Sequence, residues 1–274
     1  MSLSVIIPAC NEGRYIHACL SAILASEGPE GVQVIVAANG CTDDTVALSM
    51  TRSAVFEDRG WRLDVLDLPA LGKMGALDAG DAVAQFPTRV YVDADVVVSP
   101  PLLAQLAQAL ATEAPRYASG TPVVTAIGWS SKAFARLWVK LPFVTEGVPG
   151  FGVYAVNGAG RARWGTFPQI ISDDTYVRVQ FAPEERVKVP ATYDWPLVEG
   201  FDRLVRVRRR QDQGVVELHE IIPAQMANEG KDAPSRGWLL RQAVADPVAF
   251  GVYAAVKLAV KAGWGRQTGW VRGR

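Results

Sequence analysis

The chain has 274 residues, of which 49% are hydrophobic and 20% charged, with 28 Lys and Arg against 28 Asp and Glu. That balance excludes disorder along the whole chain, and a net charge of zero gives no reason to expect nucleic acid as a partner. A chain of this length buries roughly three quarters of its unfolded surface, so its core needs no disulfide or structural metal.

Val5 to Pro8 is a β-branched run ended by a turn, the pattern of a strand buried on both faces. Tyr15, Ile16, Cys19, Leu20, Ile23 and Leu24 then recur at helical spacing, with Asn11 as the expected N-cap. A second buried strand is expected over 32–38, and Asn39 to Thr45 turns the chain into another helix. Strand 63–68, helix 73–86, strand 90–93 and a helix ending near residue 111 follow. Strand and helix thus alternate four times in about 110 residues, which implies a parallel sheet with helices on both faces. Beyond this, strands are expected at 123–127 and 152–156, and helices at 131–139, 197–211 and within 238–262. Cys10, Cys19 and Cys41 form no Cys-x-x-Cys pair, and no basic leader precedes the first strand. Both features point to a reducing, cytoplasmic setting.

In an open α/β sheet, ligands bind beyond the carboxyl ends of the strands. Three of the four expected strand ends carry polar residues: Asn11-Glu12, Asn39 to Asp44, and Asp93-Ala94-Asp95. Asp93 and Asp95, two apart on extended backbone, lie on one side of it and repel unless a cation joins them. A hard divalent ion suits such a pair together with phosphate oxygens. The same residues equally suit a turn cap and a solvated acid. Asp173-Asp174 is a second acidic site, able to serve as a general base or simply to favour a helix N-terminus. By spacing Asn39 to Thr45 reads first as a capped turn before a helix and second as contacts to a base or ribose. Lys73 within Leu71-Gly72-Lys73-Met74-Gly75 suits either a phosphate or a snorkelling surface position; no P-loop is present. His17 reads as structural, and His219 is a distant candidate for the metal shell.

Five segments occur in a family order: Ser-Val-Ile-Ile-Pro-Ala-Cys-Asn-Glu, Asn-Gly-Cys-Thr-Asp-Asp-Thr, Gly-Lys-Met-Gly-Ala-Leu-Asp-Ala-Gly, Asp-Ala-Asp and Ser-Asp-Asp-Thr. Together they resemble the family 2 glycosyltransferases, over about residues 3 to 215. The resemblance implies the GT-A fold: α/β, with a single mostly parallel Rossmann-like sheet, helices on both faces and a C-terminal helical extension. It implies a catalytic domain over 1–215 and the extension over 216–274. It also implies single, inverting transfer from a nucleotide sugar, UDP-linked in preference to GDP-linked, to an acceptor hydroxyl in cell-envelope polysaccharide or glycolipid synthesis. Mg²⁺ or Mn²⁺ is the implied cofactor. By position, Pro8, Ala9, Glu12, Asn39, Asp43, Lys73 and Asp93 would line the donor site, and Asp95 with Asp93 would hold the metal. Asp174 would be the base, with Asp173 as second candidate. Asn157, Arg163 and Trp164 would shape the acceptor side. Where the family often has Asp-Asp-Gly-Ser, this chain reads Ala38-Asn39-Gly40-Cys41, which leaves the recognition of the base open.

The Gln-x-x-Arg-Trp signature of processive synthases is missing, which favours one transfer per encounter. The apolar run 247–260 is interrupted by Lys257 and too short to span a bilayer. Lys257, Lys261, Arg266, Arg272 and Arg274, with Trp264 and Trp270, suit a helix lying peripherally on an anionic membrane, which would accord with a sugar or lipid-linked acceptor. The same helix docked on the catalytic domain, its basic end left in water, is the alternative, and membrane-surface contact is preferred. A sugar-phosphate nucleotidyltransferase is the alternative enzyme class, but its Gly-rich opening loop is replaced by Pro8 to Glu12. A silent nucleotide-sugar-binding scaffold is the non-enzymatic alternative, and none of the four acids has been lost.

Overall fold

The computed structural model describes residues 2–230 and 233–264; Arg266, Trp270, Arg272 and Arg274 lie outside the described residues. The chain divides into two compact units, Met1–Val123 with Gly150–Trp195 and Val124–Pro149 with Pro196–Arg274.

The first unit begins with β1 (Leu3–Ala9), α1 (Ile16–Ala25), β2 (Val32–Asn39), α2 (Thr45–Met50), α3 (Ser53–Asp58), β3 (Arg62–Leu68), α4 (Gly72–Val83) and β4 (Thr88–Val92). It continues with β5 (Val97–Val98), α5 (Leu102–Ala109) and β6 (Tyr117–Thr125), whose last two residues fall in the second unit. The strands run in the order β3-β2-β1-β4, with parallel pairing throughout. β1 and β2 are buried almost end to end, and their one interior polar pair, Ser4 and Gln33, is joined by a hydrogen bond across the strands. The residues alternate between two covered faces. Leu3, Val5 and Ile7 share a core with Ile16, Cys19, Leu20 and Ile23 of α1, Phe56 of α3 and Leu102, Leu103 and Leu106 of α5. On the opposite face α4 lies so close to β1 that a Cβ on Gly80 would stand 2.5 Å from Ile6 Cγ2.

Helix α1 starts later than the periodicity suggests. Its N-cap is Tyr15, and the Tyr15 and Ile16 N–H groups donate to the Glu12 carbonyl. Asn11 does not cap the helix; it adopts a left-handed backbone (φ 57°), and its side chain bonds Thr42 instead.

Beyond the middle of the sheet the pairing turns antiparallel. After α6 (Trp129–Trp138) and α7 (Pro142–Thr145), β7 (Val153–Val156) pairs antiparallel with both β4 and β6. It is followed by α8 (Gly158–Arg161), α9 (Asp173–Arg178) and β8 (Arg186–Pro196), giving one mixed sheet of eight strands. β8 buries Val189, Ala191 and Tyr193 and exposes Pro190 and Asp194, a period-2 pattern. Pro190 obscures that strand in the sequence.

The second unit holds α6, α7, α10 (Phe201–Ile221), α11 (Arg236–Ala245) and α12 (Pro247–Lys261). Phe134 of α6 packs against Tyr253 of α12 with ring centroids 5.5 Å apart. Arg136 of α6 pairs with Asp246, whose side chain also caps α12 by accepting from the Ala249 N–H. None of the described helices is long and apolar enough to cross a membrane.

Because alanine at position 80 would force Ile6 to move, Gly80→Ala is expected to destabilise by about 1–3 kcal/mol. This would occur although Ala favours helix over Gly by about 1 kcal/mol. Urea denaturation measures the change, and a raised midpoint would contradict the packing described.

Candidate functional site

The chain runs β1, β2, β3 outward and then returns to place β4 on the other side of β1. A parallel sheet opens a crevice at such a reversal, beyond the strand carboxyl ends. Here the flanking loops are 10–15 after β1 and 93–96 after β4.

Loop 10–15 is clasped to the turn after β2. The Asp43 carboxylate accepts from the Gly13 and Thr45 N–H groups and from the Thr45 hydroxyl, and that hydroxyl in turn accepts from the Glu12 N–H at 2.8 Å. Burial acts to raise the Asp43 pKa, but the Thr45 hydroxyl and the backbone N–H donors outweigh it and hold the carboxyl below its ordinary range. Asn39 is buried, and its Oδ1 accepts from the Leu71 N–H at 2.6 Å, bracing the turn that leads into α4. Gly40, next to it, has φ 60°, and a Cβ there would sit 2.7 Å from Ala70. Pro8 and Ala9 end β1 beside these loops. Asn39 and Asp43 therefore build the wall of the crevice.

Lys73, in the first turn of α4, reaches to the centre of the site. Its Nζ lies 2.9 Å from Asp93 Oδ1 and 2.9 Å from Asp173 Oδ1. Burial acts to lower its pKa, but Asp173 and Asp93 outweigh that effect and keep the ammonium charged well beyond neutral pH. Asp173 is buried, and its other oxygen accepts from the Tyr154 hydroxyl at 3.0 Å. Both Asp173 oxygens are thus engaged. Asp174 is partly exposed, and its Oδ1 accepts from the Thr175 N–H. Asp93 and Asp95 are likewise partly exposed, and the Asp93 N–H donates to the Gly152 carbonyl at 2.9 Å. Beneath Asp93, burial and then the Asp93 charge push the Cys19 thiol up to about 12, which leaves it protonated.

Sequence reasoning missed the layer under these acids. Tyr91 of β4 and Tyr154 of β7 are register partners whose rings stack at 4.8 Å, and Tyr117 of β6 lies on the far side of Tyr154 at 6.4 Å. The Tyr91 hydroxyl donates to Asp81, which also binds Arg89 and Arg161. Asp78 accepts from the Phe167 N–H at 2.9 Å. The polar tips of Tyr91 and Tyr154 were the available signal, since a buried tyrosine hydroxyl calls for a partner.

The three residues expected on the acceptor side have other work. Asn157 is buried; it accepts from the Gly160 and Arg116 N–H groups and donates to the Thr112 and Ala114 carbonyls, so it is an N-cap and loop clasp. Arg163 is held by both oxygens of Glu185 and by the Gln180 carbonyl. Trp164 is buried beneath the Arg161 guanidinium, 4.6 Å from its ring, and against Phe167. Asn157 and Arg163 thus spend their polar groups inside the protein, whereas the buried Trp164 indole N–H has no hydrogen-bond partner among the described residues. His219 is exposed in the last turn of α10, and among the described residues no cluster of three or more His, Cys, Asp or Glu forms a ready metal cage. An Asp93–Asp95 pair still fits Mg²⁺ or Mn²⁺, because such ions take one or two carboxylates and complete their shell with phosphates and water.

A model of the family described as Glycosyl transferase family 2 matches residues 4–160. No curated protein matches the sequence significantly. Among solved structures, a mannosyltransferase from Pyrobaculum calidifontis in complex with GDP-Man and Mn²⁺ is similar at a TM-score of 0.59 and 20% identity, covering 97% of this chain and 76% of that one. S. aureus TarS residues 1–349 in complex with UDP-GlcNAc matches at 0.52 and 14%, covering 100% and 95%. Glucosyl-3-phosphoglycerate synthase from Mycobacterium tuberculosis with Mn²⁺ and UDP-glucose matches at 0.53 and 17%, covering 86% and 81%. At these identities the likeness shows the GT-A fold.

Lys73→Met would leave Asp93 and Asp173 facing each other without a cation. The expected loss is roughly 1–3 kcal/mol, below the 3–5 of a fully buried pair because Lys73 and Asp93 are partly solvated. The double variant Lys73→Met/Asp173→Asn should recover part of it in urea denaturation. A neutral single variant would show that the two ion pairs do not hold the site.

Proposed function

The chain belongs to glycosyl transferase family 2, and from that membership we propose that it moves a sugar from a nucleotide-sugar donor to an acceptor hydroxyl by one inverting displacement. The observation that carries this reading is the meeting of Asp93, Lys73 and Asp173 at the crevice between β1 and β4. A nucleoside diphosphate there would lie along loops 10–15 and 40–45, with Lys73 released from Asp93 toward the phosphates. We assign Asp95 and Asp93 as the carboxylates that hold Mg²⁺ or Mn²⁺. Such an ion, when bound, supplies positive charge against the diphosphate as the sugar–oxygen bond breaks. The bound Mn²⁺ named for two of the similar structures supports this choice of ion.

The base is Asp174. Asp173 has both oxygens engaged, one by Lys73 and one by Tyr154, so its part is to anchor Lys73. In the reaction, the acceptor oxygen attacks the anomeric carbon as its proton passes to the Asp174 carboxylate. The bond from that carbon to the diphosphate breaks on the opposite face, and the nucleoside diphosphate leaves. We place UDP ahead of GDP as the carrier, and a saccharide or lipid-linked saccharide of the cell envelope as acceptor. The protein would act in the cytoplasm, held peripherally at the membrane face.

Release of nucleoside diphosphate from UDP-glucose, UDP-N-acetylglucosamine and GDP-mannose, each with Mn²⁺, tests the reading. One nucleotide class should turn over, and Asp174→Asn should slow that turnover by about 10²–10⁴-fold while nucleotide binding persists. Unchanged turnover in Asp174→Asn would remove it as the base. Release from none of the donors by folded protein would count against the whole assignment.

A further inference from the structure

Formal charge is divided unequally between the two compact units. The first unit carries 12 Lys and Arg against 19 Asp and Glu, and the second 16 against 9. The neutral chain is therefore two oppositely charged halves, and the basic half is the one without the acidic site.

Within the second unit, two stretches hold no acid at all: 124–145, which supplies α6, and 247–274, which supplies α12. These two helices pack side by side, as the Phe134–Tyr253 ring contact and the Arg136–Asp246 pair require. Their outward faces differ, that of α6 being aromatic and basic and that of α12 chiefly aliphatic. On α6 the exposed residues are Trp129, Lys132 and Arg136, at i, i+3 and i+7, continued by Lys140 just past the helix. On α12 they are Pro247, Val248, Gly251, Ala255, Leu258 and Lys261. Between the helices lies a cavity of about 450 Å³ lined by Trp129, Ser130, Phe201, Gly251, Val252 and Ala255. A Cβ added at Gly251 would meet nothing within 4 Å, so the cavity is open on that side.

The apolar residues at the start of α6 are held out deliberately. Ile127 is 84% exposed and Trp129 74%. The turn that bears them is fixed by Glu199, whose carboxylate accepts from the Ile127 and Gly128 N–H groups at 2.6 and 2.8 Å, and by Ser131, which joins the Val198 carbonyl to the Gly200 N–H. Burial raises the Glu199 pKa, but the two N–H donors outweigh it, so the clasp stays ionised. A rigid turn presenting two large apolar side chains in water loses free energy unless something covers them.

We propose that the α6–α12 face of the second unit docks on the surface of an anionic lipid bilayer, with Ile127 and Trp129 entering the interface and Lys132 and Lys140 meeting lipid headgroups. A bilayer is the occupant that accounts for all three features. Tryptophan suits the polar–apolar boundary, lysines extend their stems and keep their charge in the headgroup layer, and a unit of net positive charge is drawn to anionic lipid. This deepens the peripheral-membrane reading above. None of its residues belongs to the first unit, which carries the proposed donor site.

The test is co-sedimentation of the full chain with vesicles of phosphatidylglycerol and phosphatidylcholine in equal parts, and with phosphatidylcholine alone, without nucleotide. Binding should occur on the anionic vesicles, weaken with salt and largely vanish on the neutral ones. Ile127→Ser/Trp129→Ser and Lys132→Gln/Lys140→Gln should each weaken it about tenfold or more while melting like the parent protein. No sedimentation with anionic vesicles, or double variants that bind as the parent does, would overturn the proposal. So would a dimer in light scattering that Ile127→Ser/Trp129→Ser converts to monomer, since a second copy would then be what covers the face. Nucleotide binding should be the same in all these variants, so a failed donor assignment would leave the vesicle result standing, and the reverse.

Discussion

The first unit depends on one ammonium group. Lys73 stands between Asp93, at the end of β4, and Asp173, at the start of α9, and so ties together three elements that are distant in the chain. Without that cation, two carboxylates drawn toward one crevice would repel each other, and the loop after β4 would have no reason to approach α9. The Tyr154 hydroxyl takes the remaining oxygen of Asp173, and the stacked Tyr91 ring links this layer to Asp81, which Arg89 and Arg161 neutralise in turn. Before any ligand enters, one ammonium thus serves two carboxylates, which leaves the crevice acidic. On the proposed reading, a diphosphate would take over the ammonium of Lys73, and Asp93 with Asp95 would be the residues left to hold a divalent cation.

Much of this was legible in the sequence, and for a definite reason. β1, β2 and β4 are largely buried on both faces, so they are mainly apolar and end abruptly, and the polar residues at those ends reach the crevice because the strands are parallel. Asp93, Lys73 and Asp173 were recognisable as residue types in order along the chain. Their convergence was not, because it depends on β7 entering antiparallel beside β4. β8 escaped notice because Pro190 and the outward charges of Arg186, Lys188 and Asp194 mask its alternation. Asn11 looked like a helix cap because Asn caps helices often, but here the Glu12 carbonyl and Tyr15 do that work. Asn157 and Arg163, expected on the acceptor side, engage the protein's own groups, and Trp164 beside them is buried. A sequence shows a side chain's hydrogen-bonding capacity, and only the fold shows whether the protein's own backbone has already used it.

The second unit obeys different constraints. Its helices bury Phe134, Leu137, Leu204 and Leu218, yet leave Ile127 and Trp129 on a turn that Glu199 holds firmly in place. Opposite net charges on the two units mean that any charged surface nearby would favour one unit and repel the other. That asymmetry is invisible in the whole-chain charge, which is zero, and appears only once the fold has sorted the residues.

The central claim is that Asp95 and Asp93 bind a nucleotide through a divalent cation, and calorimetric titration of UDP and GDP with and without Mn²⁺ tests it most directly. The account predicts that one of the two nucleotides binds only when Mn²⁺ is present, and that Asp95→Ala abolishes this binding while unfolding at the parent's midpoint. Binding that ignores Mn²⁺, or that survives in Asp95→Ala, would contradict it, as would a folded chain that binds neither nucleotide.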